Sequence, residues 1–113
     1  MVFTGTIYGL LINEYFYIGS TKASLERRLS NHISCSKNEK FNMKLYKHIN
    51  EKENGNWDNV IMLTLETLEC ETLHDLYKKE YEYINKHISD PYCLNQIKDN
   101  KQQFAIIRYK MKK

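Results

Sequence analysis

The sequence predicts an α+β domain: a small, mostly antiparallel three-stranded sheet flanked by helices, in the order β-β-α-α-β-α plus a C-terminal element. Three observations lead there. Residues 5 to 20 hold two β-branched and aromatic runs around a polar turn. Three later segments carry apolar residues at helical spacing. Val60-Ile61-Met62-Leu63-Thr64-Leu65 is a single short apolar run of strand length. At 113 residues the chain is one domain, large enough to bury a core without disulfides or metals.

Within the hairpin, a two-residue loop at Asn13-Glu14 sets Ile12 opposite Tyr15, Leu10 opposite Tyr17 and Tyr8 opposite Gly19. Strand side chains alternate faces, so Tyr8 and Tyr17 share one. Gly19 lacks a side chain and is expected to leave open space beside Tyr8, an arrangement better suited to a site than to a packed core. Ser24 is a plausible N-cap for a helix over residues 25 to 34, with Leu25, Leu29 and Ile33 inward. A second helix is expected over residues 42 to 53, with Leu45, Tyr46 and Ile49 inward and Asn54-Gly55-Asn56 ending it. The run from Val60 to Leu65 reads as a buried strand. A third helix is expected over residues 72 to 87, broken by Ser89-Asp90-Pro91, and Tyr92 to Ile97 as an extended return. Residues 102 to 113 fit a strand, a short helix or a frayed tail equally.

Polar residues interrupt these inward faces. At about 100° per residue, Arg28 and His32 fall one turn apart at the edge of the first helix's apolar stripe, whereas Arg27 and Asn31 point elsewhere. Such an arginine needs an acceptor or must snorkel to water. On the third helix Glu80 lies inside the arc of Leu73, Leu76, Tyr77, Ile84 and Ile88. A carboxylate there is costly unless it is paired or metal-bound, and a Glu–Arg pair tying helix to sheet is the plain structural alternative. Tyr8, Tyr17, Arg28, His32 and Glu80 thus converge from separate elements, and unusual polar groups of this kind mark functional sites. Phosphodiester cleavage uses such a set. A guanidinium stabilises charge on the phosphate oxygens. One carboxylate suffices for Mg²⁺ when water and phosphate supply the remaining ligands. A tyrosine near a histidine can orient or deprotonate water.

These residues resemble the GIY-YIG endonuclease family over nearly the whole chain, from Gly5 to about Ile97. The first signature stands here as Thr6-Ile7-Tyr8 and the second as Tyr17-Ile18-Gly19-Ser20-Thr21. Arg28 and His32 match the family's Arg-x-x-x-His segment, which selects Arg28 over Arg27. Glu80 matches its metal-binding glutamate, and Tyr92-Cys93-Leu94-Asn95 its closing Tyr-Asn motif with two extra residues between. The resemblance implies a Mg²⁺-dependent DNA endonuclease (Mn²⁺ a possible substitute), with Glu80 as the metal ligand and Arg28 on the scissile phosphate. It further implies Tyr8 as general base assisted by His32, Tyr17 placing water or phosphate, and Asn95 binding or supporting the substrate site. Thr6 replaces the family's first glycine; threonine suits a strand and the tyrosine is kept. The alternative reading is a catalytically silent nucleic-acid-binding or partner-recruited module of the same fold.

The nuclease-like domain is expected to span residues 1–97, with 98–113 a basic extension of it. Six basic groups against Asp99 give that extension +5, so the rest of the +3 chain sums to −2. Lys101, Arg108 and Lys110 are therefore candidate phosphate contacts, with a protein partner as another source of targeting. Cys35, Cys70 and Cys93 are odd in number and widely spaced, which argues against a disulfide framework or zinc cluster. Neither a signal peptide nor a run of about 18 apolar residues is visible, so an intracellular site, cytoplasmic or nuclear, is expected.

Overall fold

The structure, a computed structural model, describes residues 2–96. The hairpin forms as its pattern dictates. Strand β1 (Phe3–Ile12) pairs antiparallel with β2 (Tyr15–Thr21), with Ile12 against Tyr15, Leu10 against Tyr17 and Tyr8 against Gly19. Asn13 takes the left-handed conformation (φ 57°) that closes so short a turn. Helix α1 (Leu25–Ser36) starts where Ser24 caps it, accepting from the Arg27 N–H at 3.1 Å. Helix α2 (Lys44–Lys52) begins two residues later than expected, after Met43 in extended conformation, and ends at the positive-φ pair Asn54 and Gly55. Helix α3 (Leu73–His87) opens with a reciprocal capping box between Thr72 and Asp75.

Strand β3 (Val60–Cys70) corrects the sequence reading. It is eleven residues long rather than six, and it is a half-exposed edge strand rather than a buried one. Its second half alternates in exposure, with Glu66, Leu68 and Cys70 turned inward and Thr67 and Glu69 exposed. That is the signature of a strand with one solvated face, and the continuous apolar run before it hides the signal. β3 pairs antiparallel with all of β1, from Phe3 against Cys70 to Ile12 against Val60, and slips register between Ile7 and Tyr8.

The sheet order is β2-β1-β3, and helices cover both faces. On one, Tyr8, Leu10, Ile12 and Tyr17 pack with Leu45, Tyr46 and Ile49 of α2 and, at the margin, Leu25 and Leu29 of α1. On the other, Ile7 and Ile18 pack against Leu76 and Ile84 of α3. The chain then returns to the outer edge of β2. Phe16 N–H donates to the Tyr92 carbonyl at 3.0 Å and Leu94 N–H to the Phe16 carbonyl at 2.7 Å, making a short parallel pairing. Lys44 holds this segment to α2 through its ammonium, which reaches the Cys93 carbonyl at 3.3 Å. Cys70 and Cys93 are buried, Cys35 is half-buried, and all three are free thiols. Among the described residues no helix is long and apolar enough to cross a membrane.

Candidate active site

The site begins at Gly19. A Cβ there would collide with the phenol oxygen of Tyr8. The space expected beside Tyr8 is therefore not open: the phenol itself fills it, and Tyr8 is wholly buried. Tyr17 is nearly so, and both rings belong to the packed cluster on the α1/α2 face of the sheet. What sets Tyr8 apart from ordinary core is its hydroxyl. It lies 2.6 Å from Nε2 of His32 and accepts from Nε of Arg28 at 3.1 Å.

Arg28 thus has its acceptor and does not depend on snorkelling. Burial alone would weaken its charge. The oxygens of Tyr8, Tyr17 and Tyr46 outweigh that, and its pKa stands above the ordinary value. His32 is also wholly buried. Removal from water, reinforced by the Arg28 charge, pushes its pKa down to about 3, so the imidazole is neutral. Tyr8 is pushed up to about 12, chiefly by burial. Arg28 opposes that rise and the negative charge of Glu80 adds to it.

Two residues of this network are absent from the sequence reading as site residues. Tyr46, counted there as inward core, places its hydroxyl 2.8 Å from Nδ1 of His32. The signal was available, because a buried tyrosine hydroxyl usually finds a polar partner. Trp57 lies roughly parallel to the imidazole, with centroids 6.2 Å apart and planes at 22°, while its Nε1–H donates to Ser36 Oγ at 3.0 Å. Nothing in the sequence pattern points to it.

Glu80 approaches from α3, on the opposite face of the sheet. It is 3% exposed, and Ser20, on the strand residue after Gly19, donates its hydroxyl to Oε1. The site therefore spans both faces of β2 near its C-terminal end. Asn95 closes the edge beside it. Its Oδ1 accepts from the Ile18 N–H at 2.9 Å and its Nδ2 donates to the Ile18 carbonyl at 2.8 Å. The side-chain amide is buried and engaged with the backbone at both ends. Lys101, Arg108 and Lys110 lie outside the described residues.

Among the described residues, no group of three or more His, Cys, Asp or Glu gathers to hold a metal. What the site offers is one buried carboxylate next to a serine hydroxyl, with its charge felt at Tyr8. That donor set fits a hard dication bound through one carboxylate, with water and a phosphate completing the shell. It does not fit a closed, protein-only metal cage.

The GIY-YIG catalytic domain matches residues 7–93 of the sequence. The chain belongs to the GIY-YIG family. The match takes in β1 from Ile7 onward, all of β2 and β3, all three helices and the start of the closing segment. It begins at Ile7, just past the threonine that stands for the signature's first glycine. GIY-YIG domains are nuclease domains, with DNA as the implied substrate. Curated proteins and solved structures gave no match.

Proposed function

We propose that this GIY-YIG chain is a metal-dependent endonuclease that hydrolyses DNA phosphodiesters at one site formed by Tyr8, Tyr17, Arg28, His32 and Glu80. The observation that carries the reading is the buried hydrogen-bonded line Arg28–Tyr8–His32. A guanidinium and a neutral imidazole on one phenol oxygen have no structural necessity in a core of this size, and they are the parts acid–base chemistry on a phosphate requires.

In the resting site the phenol and imidazole are both neutral. Burial holds the phenol pKa up and the imidazole pKa down, so complete proton transfer between them is uphill. A free phenolate–imidazolium pair therefore does not accumulate. As water attacks phosphorus, its proton passes to the Tyr8 oxygen while the Tyr8 proton passes to Nε2 of His32. The bond to the leaving ester oxygen breaks and that oxygen takes a proton from solvent, while the His32 proton returns through Tyr8 to solvent and restores the neutral pair. Arg28 spends one N–H on Tyr8, and its other donors stabilise charge on the non-bridging oxygens. Tyr17, on the same face of the sheet, places the water or the phosphate. Glu80 would hold Mg²⁺, with Mn²⁺ as a substitute, and the ion would supply charge neutralisation at the phosphate. Asn95 fixes β2 and acts through it. Lys101, Arg108 and Lys110 supply backbone contacts to the duplex.

Supercoiled plasmid incubated with Mg²⁺ tests this. Nicking by the wild type, lost on chelation and in Glu80→Ala, is the expected result. Nicking that persists in Glu80→Ala refutes the site, and DNA binding without any cutting favours the silent-module reading.

A further inference from the structure

His32 is held from both ends, and the two ends are not equivalent. Nε2 meets the Tyr8 hydroxyl at 2.6 Å and Nδ1 meets the Tyr46 hydroxyl at 2.8 Å. A neutral imidazole carries one proton, so one nitrogen donates and the other accepts. Which does which decides whether His32 can take a proton from Tyr8 at all. If Nε2 carries the hydrogen, it points at the Tyr8 oxygen and the route is blocked.

The surroundings select between the two. Tyr8 oxygen already accepts from Nε of Arg28, which favours its own hydrogen being donated onward to Nε2. At the other end, the half-buried Cys35 sulfur lies close enough to the Tyr46 hydroxyl to add to the burial that raises the Tyr46 pKa. A Tyr46 oxygen that accepts from Nδ1 leaves its own hydrogen for that sulfur, the arrangement complementary to a Tyr8 hydrogen directed at Nε2. The rings of Tyr8, Tyr17, Tyr46 and Trp57 surround the imidazole at centroid distances of 5.7 to 6.2 Å, which opposes a ring flip that would exchange the nitrogens.

We infer that Tyr46, backed by Cys35, is a positioning residue that fixes His32 as the Nδ1–H tautomer and so leaves Nε2 free to receive the Tyr8 proton. The hydrogen-bond order is then Arg28 to Tyr8, Tyr8 to His32, His32 to Tyr46 and Tyr46 to Cys35. Tyr46 touches no reacting atom and acts only through the imidazole. The tautomer assignment rests on the hydrogen bonds of Tyr8 and His32, whereas its catalytic consequence rests on the nuclease reading above.

The test reads the tautomer directly, in the 113-residue chain labelled with ¹⁵N. Long-range ¹H–¹⁵N correlation spectra distinguish a protonated from an unprotonated ring nitrogen, and comparison with His32→Gln assigns His32 among the four histidines. The wild type is expected to show Nδ1 protonated and Nε2 bare near neutral pH. Tyr46→Phe, which keeps the ring and removes only the oxygen, is expected to shift the population toward the Nε2–H form. Cys35→Ala shifts it the same way but less. Where cleavage is measurable, Tyr46→Phe lowers kcat about tenfold with KM unchanged, a part of the ~10²–10⁴ that positioned acid–base groups supply. Wild-type protein with the proton on Nε2 overturns the inference and needs no variant to be folded. An unchanged tautomer in Tyr46→Phe overturns it as well. The spectra decide even if the protein cuts no DNA, so failure here and failure of the endonuclease reading are separate results.

Discussion

Acidification below neutral pH should destabilise this protein through one side chain, His32. In the folded state its pKa is about 3, from burial and the adjacent Arg28; in the unfolded chain it returns to about 6.5. The sign follows from proton binding. Between those two values the unfolded chain holds the proton and the folded protein does not, so falling pH favours unfolding. Above about 6.5 neither state is charged and the group contributes no slope. At pH 5 the difference is about 1.5 pH units, which is about 2 kcal/mol; by pH 3 it approaches about 5 kcal/mol. Against a typical total of about 5–15 kcal/mol, that is a large fraction. Denaturant unfolding under reducing conditions at pH 7 and pH 5, in wild type and His32→Gln, isolates the effect. His48, whose pKa burial also lowers, contributes equally to both proteins and cancels. Wild type should lose about 2 kcal/mol more than the variant. Parallel losses in the two proteins would show that the buried imidazole does not govern acid stability.

Gly19→Ala should lower stability by about 1–3 kcal/mol, the usual range for overpacking, because its Cβ meets the wholly buried Tyr8 phenol; thermal unfolding identical to wild type would contradict that close approach. Asn95→Ala leaves the Ile18 N–H and carbonyl without partners at a buried edge, a loss of about 3 kcal/mol. Hydrogen exchange at Ile18 should speed up in it, and unchanged protection there would show that another group holds the edge. Arg28→Lys keeps the charge but not the Nε–H that reaches Tyr8. Plasmid cleavage should drop about 10²–10³-fold, while DNA affinity in a filter-binding or anisotropy titration stays within about twofold; full activity with lysine would remove the geometric role assigned to the guanidinium.

Much of the scaffold was legible because its signals are local. The hairpin register follows from a two-residue loop plus alternation. The start of α1 follows from Ser24, and the inward arc containing Glu80 from helical spacing. What escaped reading depends on residues distant in sequence. β3 runs on to Cys70 because β1 offers ten residues to pair with, a length no local window contains. Tyr46 and His32 are fourteen positions apart on different helices, and their hydroxyl–imidazole contact exists only because α1 and α2 share one face of the sheet. The space imputed to Gly19 was misjudged for the same reason. Alternation places a phenol opposite the glycine but does not say that the ring lies over it.

Asn95 acts as a substitute peptide unit. Its amide offers a carbonyl and an N–H at the spacing of a backbone link, so the ladder on β2 is extended without the main chain having to follow. The two partners are 77 positions apart. On the ribosome, at about 5–20 residues per second, Ile18 waits on the order of 4–15 s for the residue that seals it. Until then that stretch of β2 has no native partner on its outer side. A nascent chain would be most exposed to strand-to-strand association during this interval, and shortening the delay by codon choice downstream is a direct means of improving yield.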